Sequence, residues 1–94
     1  MVVYLDMKSK YRCPCCGYYT YDELPNNTFD ICPVCFWEDD GVQLSQPNYR
    51  GGANKVSLLE ARENYMRFGA SESRLMQYVR KPEKEELKGI DWET

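Results

Sequence analysis

Two cysteine pairs of the same design limit what this chain can fold into. Cys13 and Cys16 form one CPxC pair, Cys32 and Cys35 form the other, and fifteen residues separate the pairs. Two CxxC pairs separated by about fifteen to twenty residues are typical of zinc sites. One tight turn lets both sulfurs of a pair reach the same ion at about 2.3 Å. The spacing therefore predicts one metal site with all four of these cysteines as ligands.

The identity of the metal has more than one interpretation. The sequence CPCCGYYTY around the first pair resembles the cysteine turn of the iron-binding rubredoxins, although the two pairs lie closer together here than in that family. Two redox-active thiol pairs without a metal are a further alternative. Four thiolates at this spacing favour zinc. We predict one zinc ion and keep a rubredoxin-like iron or thiol-redox protein as the alternative.

The two turns, called here the first knuckle (residues 13–17) and the second knuckle (residues 32–36), differ at two positions. Gly17 supplies the positive φ that ends the first turn, whereas the second has Phe36 there, which predicts a different exit. Cys15 is the odd cysteine and corresponds to Val34. We expect its thiol to point away from the ion as a spare surface or half-buried group. The alternative is that Cys15 is a reactive thiol or an alternate metal ligand.

Length and charge restrict the possible partners. The chain has 94 residues and a formal net charge of −3, which fits a single small domain over residues 1–94. A negative chain without a basic run argues against a nucleic-acid-binding zinc ribbon, since duplex affinity rests on Lys and Arg contacts to phosphate. A basic protein partner fits the charge. With no secretory leader and no membrane-spanning apolar run in the sequence, we expect a cytoplasmic protein with no membrane partner.

The pattern along the chain predicts four stretches with different structures. Residues 13–36 should form a hairpin in which 18–21 pairs with 28–31, with a knuckle at each open end. A short edge strand or frayed tail is expected over residues 1–12. Residues 37–56 show no sustained period and predict an irregular loop, residues 57–82 a helical part, and residues 83–94 a charged tail. In that tail only Ile90 and Trp92 look able to dock.

The helical part contains the clearest periodicity in the sequence. The motif SLLE at 57–60 is a capping box, and Gly69 is a C-cap candidate, so a helix is predicted from Leu58 to Phe68. Its apolar stripe should cover the hairpin and comprises Leu58, Ala61, Tyr65 and Phe68. Ser71 is expected to cap a second, shorter helical segment that ends before Pro82.

Residues suited to catalysis are few. The chain has no histidine, the commonest general base, and four cysteines leave no open position on a zinc ion. The acidic cluster Glu38, Asp39 and Asp40 is expected to be a solvated turn, with a hard cation or a basic partner as alternatives. The aromatic residues near the knuckles are expected to pack in the core, with a binding platform as the alternative; they are Tyr18, Tyr19, Tyr21, Phe36 and Trp37.

Several motifs together resemble the bacterial family of cysteine-rich CPCC proteins. They are CPCCG, ICPVCFWEDDG, PNYRGGAN, VSLLEARENYMRFGA and YVRKP, and they cover roughly residues 12–82. The resemblance implies zinc binding and supports the four-cysteine site. It implies no particular biochemical activity.

These observations predict a small α+β fold, in which a zinc-ribbon or rubredoxin-like β-hairpin carries two CPxC knuckles and one or two C-terminal helices pack against it. We expect a structural zinc ion, because four thiolates close its coordination sphere. A protein-interaction module is the expected function and an enzyme is not.

Overall fold

The computed structural model of the protein describes residues 11–87. Its regular elements are two strands, β1 (Tyr11–Arg12) and β2 (Tyr19–Tyr21), two α-helices, α1 (Gly41–Ser45) and α2 (Leu58–Phe68), and two 3₁₀ helices (Ser73–Tyr78 and Lys84–Leu87). The predicted fold class is confirmed: a small α+β domain with an antiparallel hairpin and four clustered cysteines. Most of the expected N-terminal strand, together with Ile90 and Trp92, lies outside the described residues.

The hairpin forms around the first knuckle. Strand β1 pairs antiparallel with β2, with Tyr11 opposite Tyr21 and Arg12 opposite Tyr19. The predicted pairing of 18–21 with 28–31 is therefore wrong. A two-residue strand immediately before the knuckle meets the strand immediately after it, because the knuckle itself acts as the tight turn.

The second knuckle has its own short antiparallel pairing. Ile31 forms an isolated bridge with Glu38, and the Cys32 amide donates to the Trp37 carbonyl oxygen at 3.0 Å. Phe29 and Asp39 extend the pairing, with the Phe29 amide donating to the Asp39 carbonyl oxygen at 2.9 Å. Each knuckle is thus closed by the chain on either side of it.

Residues 37–56, expected to be irregular, contain helix α1. Asp40 caps this helix, and its carboxylate accepts hydrogen bonds from the amides of Val42 and Gln43 at 2.8 and 3.1 Å. Five residues are too few to give a helical period, so the sequence pattern did not reveal α1. The remainder of the segment is irregular but tied to α1 by side-chain hydrogen bonds.

Helix α2 has the predicted bounds and both predicted caps. Ser57 Oγ accepts from the Glu60 amide, Glu60 accepts from the Ser57 amide, and Gly69 ends the helix at φ 82°. Leu58 and Ala61 are buried, and Tyr65 packs against the core. Phe68 is only half-buried, so the helix docks through its N-terminal half more than through its end.

The chain after α2 differs from prediction in detail. A short helical segment is present but is a 3₁₀ helix that begins after Glu72, without a side-chain cap. Ser71 is instead buried, and its amide donates to the Cys35 carbonyl oxygen at 2.8 Å. The expected charged tail contains the second 3₁₀ helix, where Glu86 is buried beside Arg80. Within residues 11–87 no helix is both long and apolar enough to cross a membrane.

Candidate metal centre

The two knuckles have the same backbone geometry. The Gly17 amide donates to the Cys13 carbonyl oxygen at 2.8 Å, and the Phe36 amide donates to the Cys32 carbonyl oxygen at 2.7 Å. Gly17 and Phe36 both have positive φ, 86° and 68°. The prediction of a different exit at Phe36 is therefore wrong. Phe36 adopts a conformation that costs an L-residue about 1–2 kcal/mol, and its ring stacks on Tyr78 with centroids 5.3 Å apart.

The four predicted ligands come together at one point. The Sγ atoms of Cys13, Cys16, Cys32 and Cys35 all lie within 4.8 Å of one another. Between the knuckles, Cys13 Sγ is 3.6 Å from Cys35 Sγ and Cys16 Sγ is 3.7 Å from Cys32 Sγ. A tetrahedral ion with bonds of about 2.3 Å would hold its sulfur ligands about 3.8 Å apart. The cluster could therefore hold a metal ion with small adjustments.

Hydrogen-bond donors surround the sulfurs as expected for bound thiolates. The Cys15 amide lies 3.3 Å from Cys13 Sγ, and the Val34 amide lies 3.4 Å from Cys32 Sγ. Thr20 Oγ1 lies 3.2 Å from Cys32 Sγ. Donors of this kind orient metal ligands and stabilise their negative charge. The residues present therefore fit a tetrathiolate metal site.

Hydrogen bonding and burial act unequally on the four thiols. Hydrogen bonds from Cys13, Cys16 and Cys35 lower the pKa of Cys32. Hydrogen bonding with Cys13 and the burial of the site raise the pKa of both Cys16 and Cys35. A cation that binds all four sulfurs must displace the remaining protons. Metal binding should therefore release protons and weaken as the pH falls.

Cys15 is not part of the four-sulfur cluster. Its thiol is buried in the core, as is Val34 at the corresponding position of the second knuckle. The expected surface or half-buried thiol is therefore buried, with 8% of the residue exposed. A buried position in both knuckles suits a small, weakly polar side chain such as cysteine.

Aromatic side chains enclose the centre. Trp37 is fully buried directly after the second knuckle, as expected for a core residue. Tyr21 is also buried, and its hydroxyl donates to the Trp37 carbonyl oxygen at 3.2 Å. Tyr18 packs edge-on against Tyr65 of α2 with ring centroids 6.4 Å apart. The hairpin, the second knuckle and α2 therefore meet around the sulfurs.

The acidic cluster is largely inside the protein, which corrects the expected solvated turn. Asp39 is fully buried, and its Oδ2 accepts from both the amide and the hydroxyl of Thr28 at 2.8 Å. Asp40 is buried as well and also accepts from the Ala53 amide at 2.8 Å. Burial raises the pKa of Asp40, but hydrogen bonds from backbone amides outweigh it and lower the pKa overall. These carboxylates therefore stabilise the loop as internal acceptors.

A buried amide network supports the second knuckle and was missed at the level of sequence. Gln43 Nε2 lies within 3.1 Å of the carbonyl oxygens of Tyr49, Asn54 and Val56. Asn54 in turn accepts from the Glu38 amide at 2.9 Å and donates to the Glu38 carbonyl oxygen at 2.8 Å. The Asn54 side-chain amide thus makes the two hydrogen bonds with the Glu38 backbone that a neighbouring strand would make. A polar residue inside an apparently irregular loop gives no periodic signal, although the PNYRGGAN motif marks the segment.

Comparison with known protein families adds a result that is independent of the geometry. Comparison with curated proteins finds no match. Residues 11–86 match the family described as Cysteine-rich CPCC, a range that includes both knuckles, both α-helices and the first 3₁₀ helix. The chain therefore belongs to the cysteine-rich CPCC family.

Proposed function

We propose that the chain binds one zinc ion through Cys13, Cys16, Cys32 and Cys35, and that this ion is structural. The observation that carries the proposal is the convergence of four sulfur atoms at distances near those of a tetrahedral tetrathiolate. Four protein ligands leave no position for water or substrate. All five cysteines are free of disulfide bonds, which suits a reducing compartment such as the cytoplasm.

Iron is the second candidate, since a tetrahedral four-sulfur site accepts either metal. The amide donors to Cys13 and Cys32 suit an iron centre as well as a zinc centre. Metal analysis of the purified chain separates the two. We expect about one zinc per chain and a colourless protein. A red protein with about one iron per chain would show that the bound metal is iron instead of zinc. A chain purified without any metal would refute the metal site.

We further propose that the folded domain serves as a protein-interaction module and performs no catalysis. A groove of about 180 Å³ lies beside the second knuckle, and its apolar lining includes Ile31, Phe36 and Leu75. Ile31 is 47% exposed and Tyr78, stacked on Phe36, is 56% exposed. Exposed apolar and aromatic side chains around one groove are typical of protein-binding surfaces.

The charge of this surface favours a basic partner. Glu38 lines the groove, whereas Arg74 is neutralised there by Glu72 at 2.7 Å. The whole chain has a net charge of −3, and a zinc tetrathiolate adds further negative charge. A partner segment with an apolar side chain next to Lys or Arg would therefore match both the lining and the charge.

A selection from a random twelve-residue peptide library displayed on phage tests this surface. We expect the zinc-loaded chain to select peptides that combine basic and apolar residues, and Ile31→Asp to abolish their binding. Met66→Asp is the matched control, because Met66 is 84% exposed on α2 and is not among the groove residues. Failure to enrich peptides, or equal loss in both variants, would contradict the proposed interaction surface without affecting the metal site.

A further inference from the structure

The side chain of Thr20 links the first hairpin to a sulfur of the second knuckle. Thr20 lies in the middle of β2, and its Oγ1 is 3.2 Å from Cys32 Sγ. Strand β2 is fixed by its pairing with β1 and by the burial of the adjacent Tyr21. Cys32 itself is fully buried. The contact therefore joins β2 to a buried sulfur of the second knuckle through a partly buried hydrogen bond.

The direction of this hydrogen bond follows from the chemistry of a bound thiolate. A cysteine that ligates a metal has lost its proton and can only accept. The Thr20 hydroxyl can rotate its hydrogen towards the sulfur, so it must be the donor when a metal is bound. Cys32 also accepts from the Val34 amide at 3.4 Å. Two donors thus stabilise the negative charge of this one ligand.

We propose that Thr20 is a positioning residue for the metal, because its hydroxyl orients Cys32 and withdraws charge from its sulfur. The proposal rests on the metal site proposed above. Losing an outer-sphere donor of this kind usually lowers metal affinity about 10- to 100-fold. Losing it should also raise the energy of the sulfur electrons, so that the sulfur-to-metal charge-transfer band moves to longer wavelength.

Three variants of the full chain test the role of this hydroxyl. Thr20→Val removes the hydroxyl with little change in shape, and Thr20→Ser keeps it. Thr28→Val is the matched control, because the Thr28 hydroxyl donates to buried Asp39 at 2.8 Å instead of to a sulfur. Zinc affinity is measured by competition with a chromophoric chelator. The charge-transfer band is measured with Co²⁺ in place of zinc, and far-ultraviolet circular dichroism verifies folding.

We expect Thr20→Val to bind zinc about 10- to 100-fold more weakly and to shift the cobalt band to longer wavelength. Thr20→Ser should behave as the unmodified chain, and Thr28→Val should leave the band in place even if it destabilises the fold. An unshifted band in folded Thr20→Val would overturn the proposal, whatever its zinc affinity. If the unmodified chain binds neither Zn²⁺ nor Co²⁺, the metal site itself is wrong and this inference falls with it.

Discussion

The two knuckles have the same backbone but very different surroundings. In the first knuckle Cys13 is fully buried, but Cys16 is half-buried and Gly17 is exposed, whereas both ligands of the second knuckle, Cys32 and Cys35, are fully buried. Identical turns therefore supply ligands of unequal accessibility. The first knuckle is the side from which a chelator, proton or oxidant can approach the sulfurs.

The difference arises from which parts of the chain cover each knuckle. Carbonyl oxygens of the second knuckle accept hydrogen bonds from two later backbone amides, that of Ser71 to Cys35 at 2.8 Å and that of Arg80 to Pro33 at 3.3 Å. At the first knuckle, Arg62 Nε donates to the Pro14 carbonyl oxygen at 2.8 Å, through an exposed side chain. Backbone from distant segments packs on the second knuckle, which makes it the structural centre of the domain.

Loss of the metal should have the largest effect, because it separates the two knuckles. Structural zinc contributes about 10–16 kcal/mol in small zinc-finger peptides, and helix α2 is too short to persist alone in water. Chelation should therefore abolish the helical circular-dichroism signal as well as the cluster. A helix that survives chelation unchanged would show that the two halves fold separately.

Single cysteine variants sharpen the same prediction. Cys32→Ser removes a fully buried ligand and should unfold most of the domain, whereas Cys16→Ser should weaken metal binding less, because water can reach its position. Cys15→Ser is the control and should retain the metal. Metal content and thermal unfolding measure all three. Equal losses for Cys16→Ser and Cys32→Ser would contradict the unequal roles of the two knuckles.

The next largest effect is expected from the amide network behind the second knuckle. Gln43→Ala leaves the buried carbonyl oxygen and backbone amide of Asn54, and the part-buried carbonyl oxygens of Tyr49 and Val56, without this partner. Each such group costs about 1–3 kcal/mol, so we expect a loss of about 3–5 kcal/mol in the free energy of unfolding. Denaturant unfolding of the metal-loaded chain measures it. The exposed Gln77 provides the control, since Gln77→Ala should change stability by less than about 0.5 kcal/mol.

A smaller effect tests the exit of the first knuckle. Gly17 has φ 86° and open space where a Cβ would lie, so Gly17→Ala should cost about 1–2 kcal/mol from backbone conformation alone. Gly51→Ala is matched to it, with φ 88° and equally open space. Both variants should lose similar stability, but only Gly17→Ala should weaken zinc binding in a chelator competition. Equal zinc affinities would show that this exit does not influence the ligands.

The features predictable from sequence are those encoded by local pattern. The CPxC spacing located the four sulfurs, and the SLLE box with Gly69 gave both ends of α2, because these signals require only residues a few positions apart. β-Propensity favoured residues 28–31 as the partner of β2, whereas the observed partner β1 has two residues, too few to give a strand pattern. Phe36 at positive φ and the buried Asp39 also escaped prediction. Their conformations are imposed by tertiary contacts that override local preference.

The smallest expected effect concerns the segment that covers the second knuckle from the C-terminal side. Arg80 binds Glu86 through two hydrogen bonds of 2.9 and 2.8 Å, while its backbone amide donates to Pro33. The Arg80 guanidinium lowers the pKa of Glu86 below its ordinary value of 4.5 despite burial. The pair's contribution is therefore fully present above pH 4.5 and is lost only as the pH falls through the lowered pKa.

Glu86→Gln should consequently destabilise the packing of the C-terminal segment on the second knuckle, by the same amount throughout pH 6–8. A partly exposed ion pair contributes about 1 kcal/mol at most, which corresponds to up to about fivefold faster hydrogen exchange at the Arg80 amide after correction for the intrinsic rate. Glu85→Gln, at an exposed neighbouring position, should leave that rate unchanged. An effect of Glu86→Gln that varies between pH 6 and 8 would mean that Glu86 titrates there. The ion pair would then not be what holds the C-terminal segment on the second knuckle.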